Sequence, residues 1–316
     1  MAEPNHARSP VLVIVALVVV ALLVVFVLGV LGLGLPGLDG EEEVAVDAIE
    51  TTGSTGTDAP ATTRSTTSNP GGAGLPDREA VVEYRIDVVA THPHDTGAST
   101  QGLEMVDGVL LESTGLRGAS TLRLVEPTTG EPIRTVPLDD DLYGEGATVV
   151  GQRVWQLTWT SGIAIAYDLD DLTERRRVTY EGEGWGLCAM ADRLVMSNGS
   201  SLLTTRDPET FEVIDRFEVT DGGAPVPKLN ELECLDGVVW ANLYQSTRLV
   251  AIDAEDGRVI GSADLADLVP PGFENDRSDV ANGIAHDPST GRFWLAGKRW
   301  PVLYEVELVA LSPSSP

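Results

Sequence analysis

Five stretches of this chain share one plan, and few folds can be built on such a repeat. Each opens on a short motif: Gln101-Gly102-Leu103, Glu145-Gly146-Ala147, Trp185-Gly186-Leu187, Glu231-Leu232-Glu233 and Asn282-Gly283-Ile284. Each continues through runs of β-branched and apolar residues, as in Arg153-Val154-Trp155-Gln156-Leu157 and Ile163-Ala164-Ile165-Ala166-Tyr167 of the second. Asp-Gly, Thr-Gly, Asn-Gly and Asp-Pro pairs separate the runs, and no helical period is visible, which marks an all-β chain. The starts lie 44, 40, 46 and 51 residues apart, the spacing of four-stranded propeller blades. The repeat therefore predicts a five-bladed β-propeller. The fifth unit ends after its third strand, so the upstream segment Tyr84–Ala90 is expected to supply the missing outer strand. Closing the ring in this way removes an exposed sheet edge. A pair of β-sandwiches is the other architecture such short strands allow.

Upstream of the repeats the composition changes twice. Between Val11 and Leu35 no residue is charged, and the run is long enough to cross a hydrocarbon core of about 30 Å as a helix. Arg8 precedes it and Glu41, Glu42 and Glu43 follow. That bias predicts a single-pass anchor with residues 1–10 in the cytoplasm and the remainder outside. A secretory signal peptide, cleaved to release the chain, is the rival, although its apolar core ordinarily runs only about 7–15 residues. Residues 36–80 are rich in Thr, Ser, Gly and Pro and cannot bury a core, so they read as a disordered linker. The propeller domain is assigned to 81–310 and a short tail to 311–316.

Acidic residues outnumber basic ones by 49 to 21, for a net charge of −28. Such a surface repels phosphate backbones, so nucleic acid is excluded as a partner. The two cysteines, Cys188 and Cys234, fit either one disulfide in an oxidising compartment or two buried thiols. His92 and His94 lie close together, but no second histidine cluster completes a transition-metal site. Asp168, Asp207 and Asp253 recur at the ends of third strands as turn formers. No Gly-x-Ser-x-Gly elbow, Walker loop or dinucleotide fingerprint is present.

In a propeller the first strand of every blade lines the central channel, so the residues that open each unit converge on one mouth. The register delivers Gln101, Glu145, Trp185, Asn230 with Glu231, and Asn282 there. The ends of the second strands are expected to add Trp159, Asn198, Tyr244 and Lys298. Convergent polar and aromatic groups in one concavity suit a small-molecule site. Glu145 stands apart, because a carboxylate between Gly144 and Gly146 and near Trp159 and Trp185 would be desolvated. Desolvation lifts its pKa toward the range useful for general acid–base work. Capping of turn N–H groups is its alternative role.

Nine segments between about residues 84 and 307 resemble, in order, the glutaminyl-peptide cyclotransferases of the plant and bacterial type. They include Pro93-His94-Asp95-Thr96-Gly97, Tyr143-Gly144-Glu145-Gly146-Ala147, Gln156-Leu157-Thr158-Trp159, Leu229-Asn230-Glu231-Leu232-Glu233 and Gly297-Lys298-Arg299-Trp300-Pro301. The resemblance implies a five-bladed propeller that acts on peptides or proteins that begin with Gln, and a monomer is expected. The reaction closes that residue to pyroglutamate and releases ammonia without zinc or any other required cofactor. It implies Glu145 as the catalytic acid–base, Gln101, Asn230 and Lys298 as substrate and oxyanion ligands, and Trp159, Trp185 and Tyr244 as aromatic walls. Ser99, Tyr244 and Tyr143 depart from the aromatic residues usual at those positions. A structural calcium ion, which members of the family can carry, is neither required nor excluded by the sequence. Two other readings stand beside this one: a non-catalytic propeller that binds peptide or cell-wall ligands, and a metal-dependent, lactonase-like hydrolase using Glu145, Asn230, Glu231 and Asn282.

Overall fold

The computed structural model describes residues 81–311; the apolar run 11–35, the linker 36–80 and the tail beyond 311 lie outside the described residues. After β1 (Val82–Pro93), the first sheet comprises β2 (Thr100–Val106), β3 (Val109–Thr114), β4 (Thr121–Val125) and β5 (Pro132–Pro137). The second comprises β6 (Gly144–Val150), β7 (Arg153–Thr158), β8 (Ile163–Asp168) and β9 (Glu174–Thr179). The third comprises β10 (Leu187–Ala189), β11 (Leu194–Met196), β12 (Leu202–Arg206) and β13 (Val213–Glu218). A small hairpin, β14 (Thr220–Asp221) and β15 (Ala224–Pro225), leads into the fourth: β16 (Leu229–Leu235), β17 (Val238–Leu243), β18 (Arg248–Asp253) and β19 (Val259–Asp264). A 3-10 turn at Ala266–Leu268 precedes the fifth: β20 (Ala281–Asp287), β21 (Arg292–Gly297) and β22 (Val302–Ala310).

The fifth sheet takes β1 as its outer strand. β1 runs antiparallel to β22, with Tyr84 opposite Ala310 and Pro93 opposite Val302. It is longer than the segment expected from the sequence, and its first residues also pair in parallel with β19, Val82 opposite Gly261. Sheets four and five are thereby one continuous eight-stranded sheet, a join the repeat pattern does not predict.

The inner strands β2, β6, β10, β16 and β20 neighbour one another in a closed, propeller-like ring, and five clusters of buried side chains fill the spaces between successive sheets. Leu111, Leu122, Val154 and Ile165 pack between the first and second; Trp155, Leu157, Leu187 and Leu194 between the second and third. Val195, Leu203, Leu232 and Val239 pack between the third and fourth, and Trp240, Leu249, Ile284 and Leu295 between the fourth and fifth. Leu103, Leu110, Ala285 and Trp294 join the fifth to the first. Each fully buried side chain of this size stabilises the fold by about 1.5–3 kcal/mol, so every inter-sheet space is a core in its own right. A disulfide between Cys188 and Cys234 links β10 to β16 and resolves the choice the sequence leaves open. The outer strands β5, β9 and β13 are largely exposed, and the Glu174-Arg175-Arg176-Arg177 run guards one of them against edge-to-edge pairing.

Candidate active site

Four of the five inner strands begin with an irregularity in their pairing, and these irregularities present the polar groups of the site. The β2–β3 register shifts between Thr100 and Gly102, and β6–β7 between Gly144 and Ala147. The β16–β17 register shifts between Leu229 and Leu232, and β20–β21 between Ala281 and Ile284. A bulge re-aims the extra side chain away from the ladder's strict alternation. Gln101, Glu145, Asn230 and Asn282 all stand in such bulges, whereas Trp185 lies just ahead of the short β10. Gly146 allows the second sheet to approach the third: its N–H donates to Trp185 O at 2.7 Å, and a Cβ there would lie 2.6 Å from Leu187 N.

A cavity of about 160 Å3 is lined by Gln101, Tyr143, Glu145, Trp159, Trp185, Asn230, Tyr244 and Lys298. It thus gathers all seven residues singled out as catalytic or substrate-binding in the sequence. Glu145 is only 6% exposed. Burial pushes its carboxyl up to about 8, against the opposing pull of the Lys298 charge. Burial likewise lowers the Lys298 ammonium, while Glu145 acts to raise it. Lys298 Nζ donates to Gln101 Oε1 at 2.7 Å and sits 5.2 Å from the centre of the Tyr244 ring. Gln101 Nε2 donates to the Tyr143 hydroxyl at 3.1 Å and lies 3.5 Å from Ser99 Oγ.

The aromatic walls are two edge-to-face pairs, Tyr143 with Trp159 and Trp185 with Tyr244, with ring centres 5.7 and 5.4 Å apart. Both indoles donate to one oxygen, Glu183 Oε2, at 2.7 and 2.8 Å. Sequence reasoning missed Glu183, although Gly182-Glu183-Gly184 echoes the glycine-flanked Glu145 and stands two residues before Trp185. It also noted Tyr143 only as a departure from the usual aromatic residue, whereas its hydroxyl accepts the Gln101 hydrogen bond.

Three expectations fail. Asn198 does not line the cavity: β11 ends at Met196, and the exposed Asn198 accepts from Ser200 N and Ser200 Oγ within a turn. Glu231 turns inward to accept the N–H groups of Leu103 and Ile284 at 3.2 and 2.8 Å, tying the fourth sheet to the first and fifth. Asn282 Nδ2 donates to Thr100 O at 2.9 Å. Glu231 and Asn282 are therefore ties across the ring, and they leave the lactonase-like reading without its donor set. Among the described residues no group of three or more His, Cys, Asp and Glu is arranged to hold a metal. Glu104, like Glu231, accepts a backbone N–H, that of Val149, at 2.9 Å.

His94 has a different task. Its Nδ1 faces Trp300 O at 2.9 Å and its Nε2 faces Glu112 Oε1 at 3.0 Å. Both partners only accept, so both ring nitrogens must donate and the imidazole is a cation. Glu112 also accepts from Thr100 Oγ1 and Arg123 Nε, and these partners overcome its burial to hold its carboxyl at about 2. With Arg299 N donating to Ala98 O, the network clamps the segment bearing Lys298 against the one bearing Gln101.

The glutamine cyclotransferase family model matches residues 59–308. A glutaminyl-peptide cyclotransferase of Arabidopsis thaliana is 38% identical over 234 residues, 73% of each chain. The crystal structure of Myxococcus xanthus glutaminyl cyclase aligns with a TM-score of 0.69 at 36% identity, covering 74% of this chain and all of that one.

Proposed function

This chain belongs to the glutamine cyclotransferase family and is a glutaminyl-peptide cyclotransferase; from that premise we propose how its pocket converts an N-terminal glutaminyl residue to pyroglutamate. The observation that carries the reading is a buried carboxyl at about 8, Glu145, inside a cavity with two indoles, an ammonium and two amides. A free α-amino group titrates near 7.7–8.0, so a proton passes between it and Glu145 with little difference in free energy.

The aromatic walls fold the glutaminyl side chain back on its own amine, which converts orientation into rate. The amine nitrogen attacks the side-chain carboxamide carbon and a ring C–N bond forms. Glu145 accepts the proton that this nitrogen sheds. It then delivers a proton to the carboxamide nitrogen as the exocyclic C–N bond breaks and ammonia leaves. Lys298, Gln101 and Asn230 donate to the tetrahedral oxyanion between these steps. Base, acid and oxyanion donors are all side chains of this pocket, so the step is written without a metal or cofactor. Trp159, Trp185 and Tyr244 hold the substrate.

We further propose that residues 11–35 anchor the enzyme in a membrane with the 81–310 domain outside the cytoplasm, reached through the 36–80 linker. The charge-free apolar run supports the anchor, and the Cys188–Cys234 disulfide suits an oxidising compartment. Every group named in the reaction comes from one chain, which supports a monomer as the working unit.

The test is ammonia release from a Gln-initiated dipeptide by the full chain, with and without chelator. Glu145→Gln is expected to lower kcat by about 10²–10⁴-fold while leaving the circular dichroism spectrum unchanged. Turnover retained in that variant assigns the acid–base role elsewhere.

A further inference from the structure

Beside the catalytic cavity lies a larger one for which the reaction has no use. It holds about 550 Å3 beneath the connection between β19 and β20, and its walls include Lys228, Gln245, Phe273, Arg277, Val280 and Trp300. The two cavities share a partition. Tyr244 N donates to Lys228 O and Lys298 N donates to Val280 O, both at 2.9 Å. At about 160 Å3 the catalytic cavity is smaller than the roughly 300–1,000 Å3 of ordinary ligand sites. It takes one residue, and the rest of a peptide has to lie outside it.

The larger cavity has an electrostatic peculiarity. Lys228 Nζ and Arg277 Nη2 approach the same neutral atom, Gln245 Oε1, at 3.4 and 3.3 Å. Neither cation has a carboxylate partner among the described residues, in a chain where acids outnumber bases 49 to 21. The acids on the same wall are turned to other donors and keep their charge, but none of them contacts either cation. Glu274 accepts Gly272 N, Asp276 accepts the N–H groups of Ser278 and Asp279, and Asp279 pairs with Arg299 at 2.6 Å. Gln245 Nε2 donates to Arg277 O at 3.2 Å, which fixes the loop that brings the cations together. A carboxylate between them would replace one shared neutral acceptor with two charge-assisted hydrogen bonds.

We propose that this cavity is a subsite for the residues that follow the N-terminal Gln, and that Lys228 and Arg277 select peptides carrying a carboxylate there. The carboxylate comes from an acidic side chain or from the C-terminus of a short peptide. The proposal rests on the cyclotransferase reading for what fills the neighbouring cavity.

Three peptides test it on the full-length enzyme: Gln-Ala-amide, Gln-Glu-amide and Gln-Ala with a free carboxyl terminus. At low ionic strength at least one anionic peptide is expected to exceed the neutral one in kcat/KM by roughly threefold to tenfold. Which of them does so identifies the carboxylate's source. The ratio is expected to fall toward one as salt is raised, a readout that needs no variant. It is expected to reach about one in the Lys228→Gln, Arg277→Gln double variant. A ratio near one for both anionic peptides in the unsubstituted enzyme, or one that survives salt and the double substitution, overturns the subsite. Calorimetric binding of the same peptides to Glu145→Gln separates the two failures. Charge-dependent binding without ammonia release from any Gln peptide in the unsubstituted enzyme sinks the cyclotransferase reading and leaves the subsite. Turnover without charge dependence does the reverse.

Discussion

One carboxylate oxygen, Glu183 Oε2, orients both indoles of the pocket, and the same charge acts to raise the pKa of Glu145. Removing it therefore has two separable effects. In Glu183→Ala the indoles lose their common acceptor, and KM is expected to rise about threefold to tenfold, in keeping with hydrogen bonds to an exposed charge. The pH midpoint of kcat/KM is expected to move downward as well. An unchanged KM and midpoint would mean that packing alone holds the indoles. Glu145 itself makes a prediction about stability. Its carboxyl ionises near 8 in the fold against an ordinary value of 4.5, so the native state holds a proton that the unfolded chain has released. This stabilisation is complete below pH 4.5 and is lost as pH rises through 8. Glu145→Gln should match the unsubstituted enzyme in urea unfolding at pH 4.5 and exceed it at pH 9 by roughly 2–4 kcal/mol. Equal stability at both pH values would place the Glu145 pKa near that of an exposed carboxylate. Glu145 was legible in the sequence because glycines flank it at a repeat start. Glu183 was not, because its role depends on two indoles converging from different strands, which no spacing records.

At the scale of elements, the bulges at the start of β2, β6, β16 and β20 turn a structural repeat into a set of unlike functional groups. The repeat gave away where each inner strand starts, and hence that Gln101, Glu145, Trp185 and Asn230 share one mouth. It could not tell a side chain aimed at the mouth from one aimed across the ring, because a bulge places two residues where the ladder has room for one. Asn230 faces the cavity while its neighbour Glu231 reaches backbone N–H groups of two other sheets. Asn198 was misplaced for a related reason, since β11 is only three residues long and ends before it. Close approach of the inner strands makes Gly146 the sensitive point. A methyl group there meets Leu187 N and Trp185 O, both backbone atoms that cannot swing aside. Gly146→Ala is expected to cost about 2–3 kcal/mol in urea unfolding and to depress turnover further, because Glu145 must move with its neighbour. A variant as stable and active as the unsubstituted enzyme would show that the inner strands have slack.

For the whole molecule, the fold class and the ring's closure by an N-terminal strand were legible from the count of strands per repeat. The parallel join of β1 to β19 was not, since it depends on how far β1 extends beyond the edge it completes. The Cys188–Cys234 bridge spans 46 residues and fastens sheet three to sheet four, next to the junction of sheets four and five that β1 closes. Replacing both cysteines by alanine is expected to lower the unfolding free energy by roughly 2–4 kcal/mol, and an equal loss should appear on reduction of the unsubstituted protein. No loss in either case would mean that hydrophobic packing between β10 and β16 suffices by itself. The closing strand also sets the order of events at the ribosome. β1 is among the first folded segments to be made, yet Tyr84 waits for Ala310. At about 5–20 residues per second the interval is roughly ten to forty-five seconds. Until β22 is made, β1 can meet only β19, and the fifth sheet lacks the strand that joins it to β1, so one of the earliest strands of the domain is held open for one of its latest.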